Sequence, residues 1–295
     1  MLRAFDIHGN RQRLDGGAMF GNAPRALWSR WCPPDEQGRI DLCCRALLIE
    51  TDSTRILFET GIGVFFPPEL KDRYGVVEPE HVLLRSLAAR GVSDADIDVV
   101  MLSHLHFDHA GGLLAPWQTG EGERLLFPKA TFVVGREAFA RAKSPHPRDR
   151  ASFIPTLPSL LEASGRLRLI DAGPGDEAIF GTSRISFIES FGHTPGLLLA
   201  AIQGRHKRLT FCTDLIPGMP WVHLPITMGY DRYPEQLIDE KAALFRDSDL
   251  ERNWFFFTHD AQAAAARVRL DEKGRFQAHS PLATLDGWDL DSAAN

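Results

Sequence analysis

His104, His106, Asp108 and His109 lie within a span of six residues, in the run Ser103-His104-Leu105-His106-Phe107-Asp108-His109-Ala110-Gly111-Gly112. Imidazole and carboxylate are good ligands for zinc and other borderline divalent ions, and the His-x-His-x-Asp-His spacing lets alternate side chains point different ways from one tight loop. Without an ion, such a packed quartet would need a separate hydrogen-bond partner for each polar group; metal ions satisfy them together. Two metals are the natural expectation. Three further ligand-type residues each close an apolar run: His193 follows Ile185-Ser186-Phe187-Ile188, Asp214 follows Leu209-Thr210-Phe211-Cys212, and His259 follows Trp254-Phe255-Phe256-Phe257.

The elements that must position these groups can be read coarsely. Ile97 to Leu102 is a short buried strand, and Gly111-Gly112 allows an abrupt change of direction after the cluster. Further strands are expected over Leu2–Ile7, Ile40–Glu50 and Arg55–Glu59, the last two joined by the turn Thr51-Asp52-Ser53-Thr54. Helices are expected over Glu80–Arg90, stopped by Gly91, and over Arg136–Ala142, Ser159–Ala163 and Glu235–Arg246, the last opened by Pro234. The alanine-rich stretch Ala261–Val268 reads as a short helix, followed by an edge hairpin from Arg269 to Phe276. Pro116–Pro128 and Lys143–Arg150 read as surface loops.

In these ordered motifs the chain resembles the metallo-β-lactamase superfamily. His104 to His109, Gly192-His193-Thr194-Pro195-Gly196, Thr213-Asp214 and Thr258-His259-Asp260 stand where that family carries its His-x-His-x-Asp-His run, its second loop, its bridging Asp and its final His. Phe58-Glu59-Thr60-Gly61 is similar to the family's early strand and turn, usually written with Asp in place of Glu59. The resemblance implies an α/β four-layer αβ/βα sandwich, with residues 1–295 as one domain. It further implies that His104, His106 and His193 bind one metal, that Asp108, His109 and His259 bind the other, and that Asp214 bridges them. The cofactors would be two divalent ions, zinc first, with manganese or iron as alternatives. Within the superfamily, the cluster and the Gly-His-Thr-Pro-Gly loop look most like those of quorum-quenching lactonases and their organophosphate-hydrolysing relatives. Two departures stand out: Pro217 where those lactonases have a tyrosine three residues after the bridging Asp, and Leu197 where the second loop often continues with His.

The expected chemistry is hydrolysis by a hydroxide shared between the two metals, at a pKa lowered to about 7, with Asp108 ligating and orienting it. No serine or cysteine nucleophile is needed, and Thr60, Gly61 and Thr258 read as turn residues or supports for the ligands. With Pro217 lacking a hydroxyl, the extra donor to the substrate oxygen is expected to be His223 first and Tyr230 second. Met19, Phe20, Trp28, Trp31, Phe65, Phe66, Trp221, Met228 and Tyr233 are either core aromatics and apolar packing or pocket walls. Apolar walls favour a small uncharged ester, lactone or phosphotriester as the substrate. An iron-dependent oxidoreductase of the same fold, which would dispense with part of the second ligand set, and a noncatalytic small-molecule binder are the alternatives.

A net charge of −6 argues against an extended basic track for nucleic acid. Nowhere do eighteen apolar residues run together, so no membrane span is expected, and a cytoplasmic enzyme with a homodimer as one possible state follows. Cys32, Cys43, Cys44 and Cys212 show no Cys-x-x-Cys spacing and read as reduced core residues. His81, His146, His206 and His279 are assigned no chemistry and are expected on solvated surfaces.

Overall fold

The computed structural model describes residues 1–173 and 179–293. In chain order its strands are β1 (Arg3–Ile7), β2 (Gln12–Asp15), β3 (Arg39–Leu42), β4 (Ala46–Glu50), β5 (Arg55–Phe58), β6 (Val99–Leu102), β7 (Thr131–Gly135) and β8 (Leu167–Ile170). They continue as β9 (Ile185–Ser190), β10 (Leu197–Gln203), β11 (Arg208–Phe211), β12 (Asn253–Phe256), β13 (Ala265–Leu270), β14 (Phe276–Leu282) and β15 (Trp288–Asp289). The helices are α1 (Gly16–Phe20), α2 (Arg25–Trp28), α3 (Pro68–Arg73), α4 (Val82–Ala88), α5 (Phe107–Ala110), α6 (Arg136–Lys143), α7 (Leu157–Ala163) and α8 (Pro234–Asp247).

One sheet runs β15-β1-β4-β5-β6-β7-β8, the other β14-β13-β12-β11-β10-β9, and β2 pairs β3 in a separate ribbon. Pairing is parallel from β5 through β8 and between β11 and β12, and antiparallel elsewhere. Successive side chains on a strand point to opposite faces, so an unbroken apolar strand must be covered on both sides. The two sheets obey this. Leu47, Ile49, Ile56, Phe58, Val99 and Met101 face Leu198, Ala200, Leu209, Phe211 and Phe256 in a core between the sheets. Their neighbours Leu48, Leu57, Val100 and Leu102 pack outward with Leu83 and Leu87 of α4, Phe139 of α6 and Leu161 of α7. On the far side Leu199, Phe255 and Phe257 meet Leu237, Leu244 and Phe245 of α8 together with Phe20, Trp28 and Trp221. Helix, sheet, sheet, helix is the four-layer order that the resemblance implied.

Two expectations are corrected. Ile40–Glu50 is not one strand: it breaks between β3 and β4, where the Cys43 and Arg45 amides donate to the carbonyls of His259 and Thr258 at 3.2 and 3.0 Å. The backbone leaves one sheet there to clasp a loop of the other. The alanine-rich stretch contains no helix, since Ala265 and Ala266 pair with Phe256 and Phe255 in β13. Small side chains fit between packed layers on both faces, and sheet pairing overrides the helical preference of alanine. The hairpin after it is present, from β13 through the turn at Asp271 to β14.

Candidate metal centre

All seven ligand-type residues sit just beyond strand ends. The backbone leaves β6 at Leu102 and enters the one-turn helix α5, carrying His104, His106, Asp108 and His109. This segment lies against the turn after β5: Thr60 N and Oγ1 both donate to His109 O, at 2.9 and 3.1 Å. Gly112 permits the approach, because a Cβ there would lie 2.0 Å from Thr60 O. His193 follows β9, Asp214 follows β11 and His259 follows β12.

The seven side chains converge. Asp214 Oδ2 lies 3.1 Å from His193 Nε2, 3.2 Å from His109 Nε2 and 3.8 Å from His104 Nε2, while its Oδ1 lies 3.1 Å from His259 Nε2. His106 Nδ1 is 3.2 Å from His193 Nε2. Asp108 places its two oxygens 3.8 Å from His109 Nε2 and His259 Nε2. The atoms form the donor groups His104–His106–His193–Asp214 and Asp108–His109–His259, with Asp214 lying between them, and a third group, Glu59–His104–His109, shares their rings. Every imidazole of the set is at most 6% exposed.

The outer partners of the rings settle which nitrogen is free. His109 Nδ1 is 2.8 Å from Glu59 Oε2, His193 Nδ1 is 2.8 Å from Asp231 Oδ1, and His259 Nδ1 is 2.7 Å from the Cys43 carbonyl. Acceptors at Nδ1 hold the proton there and leave Nε2 as a lone pair. Ser103 donates to Glu59 and so presents a lone pair to His104 Nδ1 at 2.9 Å, with the same result. Four Nε2 lone pairs thus point inward at a carboxylate, and those of His109 and His259 stand 3.1 Å apart. His104 Nε2 and Asp214 Oδ1 are buried without a hydrogen-bond partner. Acceptors facing acceptors at this distance repel unless a cation lies among them, so these residues fit divalent ions.

Electrostatics agree with a site arranged for positive charge. Burial, followed by the neighbouring imidazoles, pulls His104 and His106 well below the ordinary histidine value. Burial also acts against His109 and His259, but Asp214, with Glu59 in the case of His109, outweighs it and holds both well above. For Asp214, burial is overcome by His109, His193 and His259, and its carboxyl sits well below the usual range. Glu59 and Thr213 take positive φ values of 61° and 44°, sparsely populated for side-chain-bearing residues. They are joined by a 2.9 Å bond from Thr213 Oγ1 to Glu59 Oε1.

His223 and Tyr230 are the two donors expected from the sequence. His223 feels Arg275, Lys241 and Asp271, on the wall of a cavity of about 740 Å3 that reaches His259. Tyr230 feels Asp108 and Asp15. Pro217 has another use: its carbonyl accepts the His259 amide at 2.9 Å. Met19, Phe20, Trp28, Phe65, Phe66 and Met228 are buried, and Phe20 stacks between Trp28 and Trp221 at 5.6 and 4.4 Å. Trp31 and Trp221 line the cavity, whereas Tyr230 and Tyr233 are exposed. His81 corrects the expectation of a solvated residue: it is buried, accepts the Leu84 amide at the start of α4 and lies 3.2 Å from Gly112 O. Sequence reasoning missed Asp231, which no motif marks; Glu59 carried a signal in its place at a strand end beside Thr60-Gly61.

The sequence pattern of the metallo-beta-lactamase superfamily matches residues 43–259. The chain belongs to this superfamily. Among superfamily relatives, a probable metallo-hydrolase of Mycobacterium tuberculosis is 26% identical over 196 residues, 59% of this chain and 57% of that protein, so the chain spans little more than half its length. A probable metal-dependent hydrolase from Staphylococcus aureus shares the fold across 96% of both chains at 26% identity and a TM-score of 0.83. AidC, a dizinc quorum-quenching lactonase solved with a product, shares it across 94% of both chains at 21% identity and a TM-score of 0.74. The superfamily fold implies a divalent metal. No helix among its described residues is long and apolar enough to cross a membrane.

Proposed function

We propose that the chain is a dinuclear metal-dependent hydrolase acting on a small uncharged ester, lactone or phosphotriester. The observation that carries this reading is the division of donors around Asp214, whose Oδ2 faces His193 and His109 while its Oδ1 faces His259. His104, His106 and His193 would hold one ion, Asp108, His109 and His259 the other, and Asp214 both, with zinc, manganese or iron as the metal. Because the two sheets each supply ligands, residues 1–295 would work as one domain.

When bound, the divalent ions acidify water to a pKa of about 7 and draw charge from the substrate's oxygen. The chain's own groups do the rest. Asp108, whose side chain is 16% exposed, is the ligand-type carboxylate most open to solvent; it accepts the attacking water's hydrogen bond and aims its lone pair. Tyr230 donates to the oxygen that gains charge. Burial, then Asp108 and Asp15, push its phenol above the ordinary value, so it keeps the proton it must donate. His223, the first donor expected from the sequence, lines the cavity that reaches His259 and is the alternative for this role. The ring of Phe153 against His106, at 4.8 Å between centroids, favours an uncharged substrate at that side of the centre.

Metal analysis under saturating zinc, manganese or iron is expected to give about two ions per chain; a single tightly held ion would contradict the dinuclear reading. Asp108→Asn preserves size while removing the orienting carboxylate. Its kcat on any ester, lactone or phosphotriester accepted in a broad screen should fall by about a hundredfold or more at retained fold. Unchanged turnover at intact metal content would remove Asp108 from the mechanism.

A further inference from the structure

Lys241 lies on α8 with no exposed surface. Lysine is almost never fully buried unless its amino group is occupied. Here the Nζ donates to the carbonyls of Ile226 at 2.7 Å, Trp221 at 3.1 Å and His223 at 3.4 Å. The amino group's N–H donors are thus shared among these carbonyls, and all three come from one stretch of six residues that lies between Asp214 and Tyr230.

That stretch belongs to a segment fastened to the metal centre at both ends. Near its start the Pro217 carbonyl accepts the His259 amide at 2.9 Å. Near its end Asp231 Oδ1 lies 2.8 Å from His193 Nδ1, while the amides of Arg232 and Tyr233 donate to the carbonyls of His193 and Gly192 at 3.1 and 2.8 Å. Between these points the backbone is irregular beyond the single turn at 219–222, so its carbonyls need donors from elsewhere. We propose that Lys241 is a positioning residue for the metal centre: its buried amino group holds the segment 217–233 in the shape that presents Tyr230 toward Asp108 and Asp231 to His193. Only the kinetic part rests on Tyr230 being the donor.

The test uses the full-length, metal-loaded protein with Lys241→Met, which keeps the length and removes every donor, and Lys241→Gln, which retains two N–H groups. Hydrogen exchange is expected to accelerate over 217–233 in Lys241→Met while β4 to β7 exchange as in wild type. Its kcat should drop about tenfold to a hundredfold with KM little changed, Lys241→Gln should recover part of that loss, and adding Tyr230→Phe to Lys241→Met should cost little more. If Lys241→Met does not fold, Lys241→Gln carries the same comparison at smaller amplitude. Wild-type exchange over 217–233, or full kcat with that segment loosened, would overturn the proposal. Should Tyr230→Phe alone leave kcat unchanged, the donor assignment fails, and the exchange pattern alone still decides the role of Lys241.

Discussion

A metal-ligating histidine usually donates its other ring N–H to a fixed partner, and four rings here show that partner. Glu59 holds His109, Asp231 holds His193, the Cys43 carbonyl holds His259 and Ser103 holds His104. Outer partners of this kind typically contribute tenfold to about a hundredfold in metal affinity. Glu59→Gln should therefore weaken the group containing Asp108, His109 and His259, while Asp231→Asn should weaken the group containing His193. Competition titrations against a chromophoric chelator, resolving the two binding steps, would show it; equal or absent effects on both steps would break the link between ring partner and site. The inner residues are legible from the sequence because their types are costly to bury together for any other purpose. Asp231 is not, because it meets His193 from 38 residues further along the chain, and nothing in Tyr230-Asp231-Arg232-Tyr233 announces that encounter.

Between residue and fold stand the elements, and their layering follows from strands whose alternate residues feed two cores. Strand runs such as Val99–Leu102 are plain in the sequence because every residue is apolar. The break at Cys43–Arg45 is not, since it exists to hold the His259 loop: buried Arg45 donates to the carbonyls of Phe257, Asp260 and Ala263 at 3.0, 3.0 and 3.3 Å. Alanines in β13 mislead for a related reason, being selected by the space between layers rather than by local preference. Helix α8 carries a further consequence. Burial pushes Lys241 down to about 7 from its ordinary 10.5, against a smaller opposing pull from Asp231. Below about pH 7 folded and unfolded chains both hold the proton, and the cost of burying the charge is present in full. Between about 7 and 10.5 the unfolded chain holds a proton that the folded one has released, so stability rises with pH, by at most about 1.4 kcal/mol per unit. Denaturant midpoints at pH 7, 8 and 9 should accordingly rise for wild type relative to Lys241→Met. A constant difference across that range would mean that Lys241 keeps its ordinary basicity in the fold.

At the scale of the whole molecule, the placement of the ligands has a mechanical meaning. His104, His106, Asp108 and His109 follow β6 of the seven-stranded sheet, whereas His193, Asp214 and His259 follow β9, β11 and β12 of the six-stranded one. Each proposed ion would therefore take ligands from both sheets. Metal ions bind neutral imidazoles and ionised carboxylates, so protons compete with them at every ligand of this edge. Binding must displace those protons, so loading should weaken as pH falls. An ion that binds the folded chain and not the unfolded one stabilises it by RT ln(1 + [L]/Kd), about 4 kcal/mol at a thousandfold excess over Kd. Calorimetry should then show the metal-loaded protein melting in one transition, a chelated sample melting several degrees lower, and restored zinc returning the original midpoint. A chelator-treated protein confirmed metal-free yet melting unchanged would mean that the ions do not bridge the sheets, and the assignment of ligands across them would have to be abandoned.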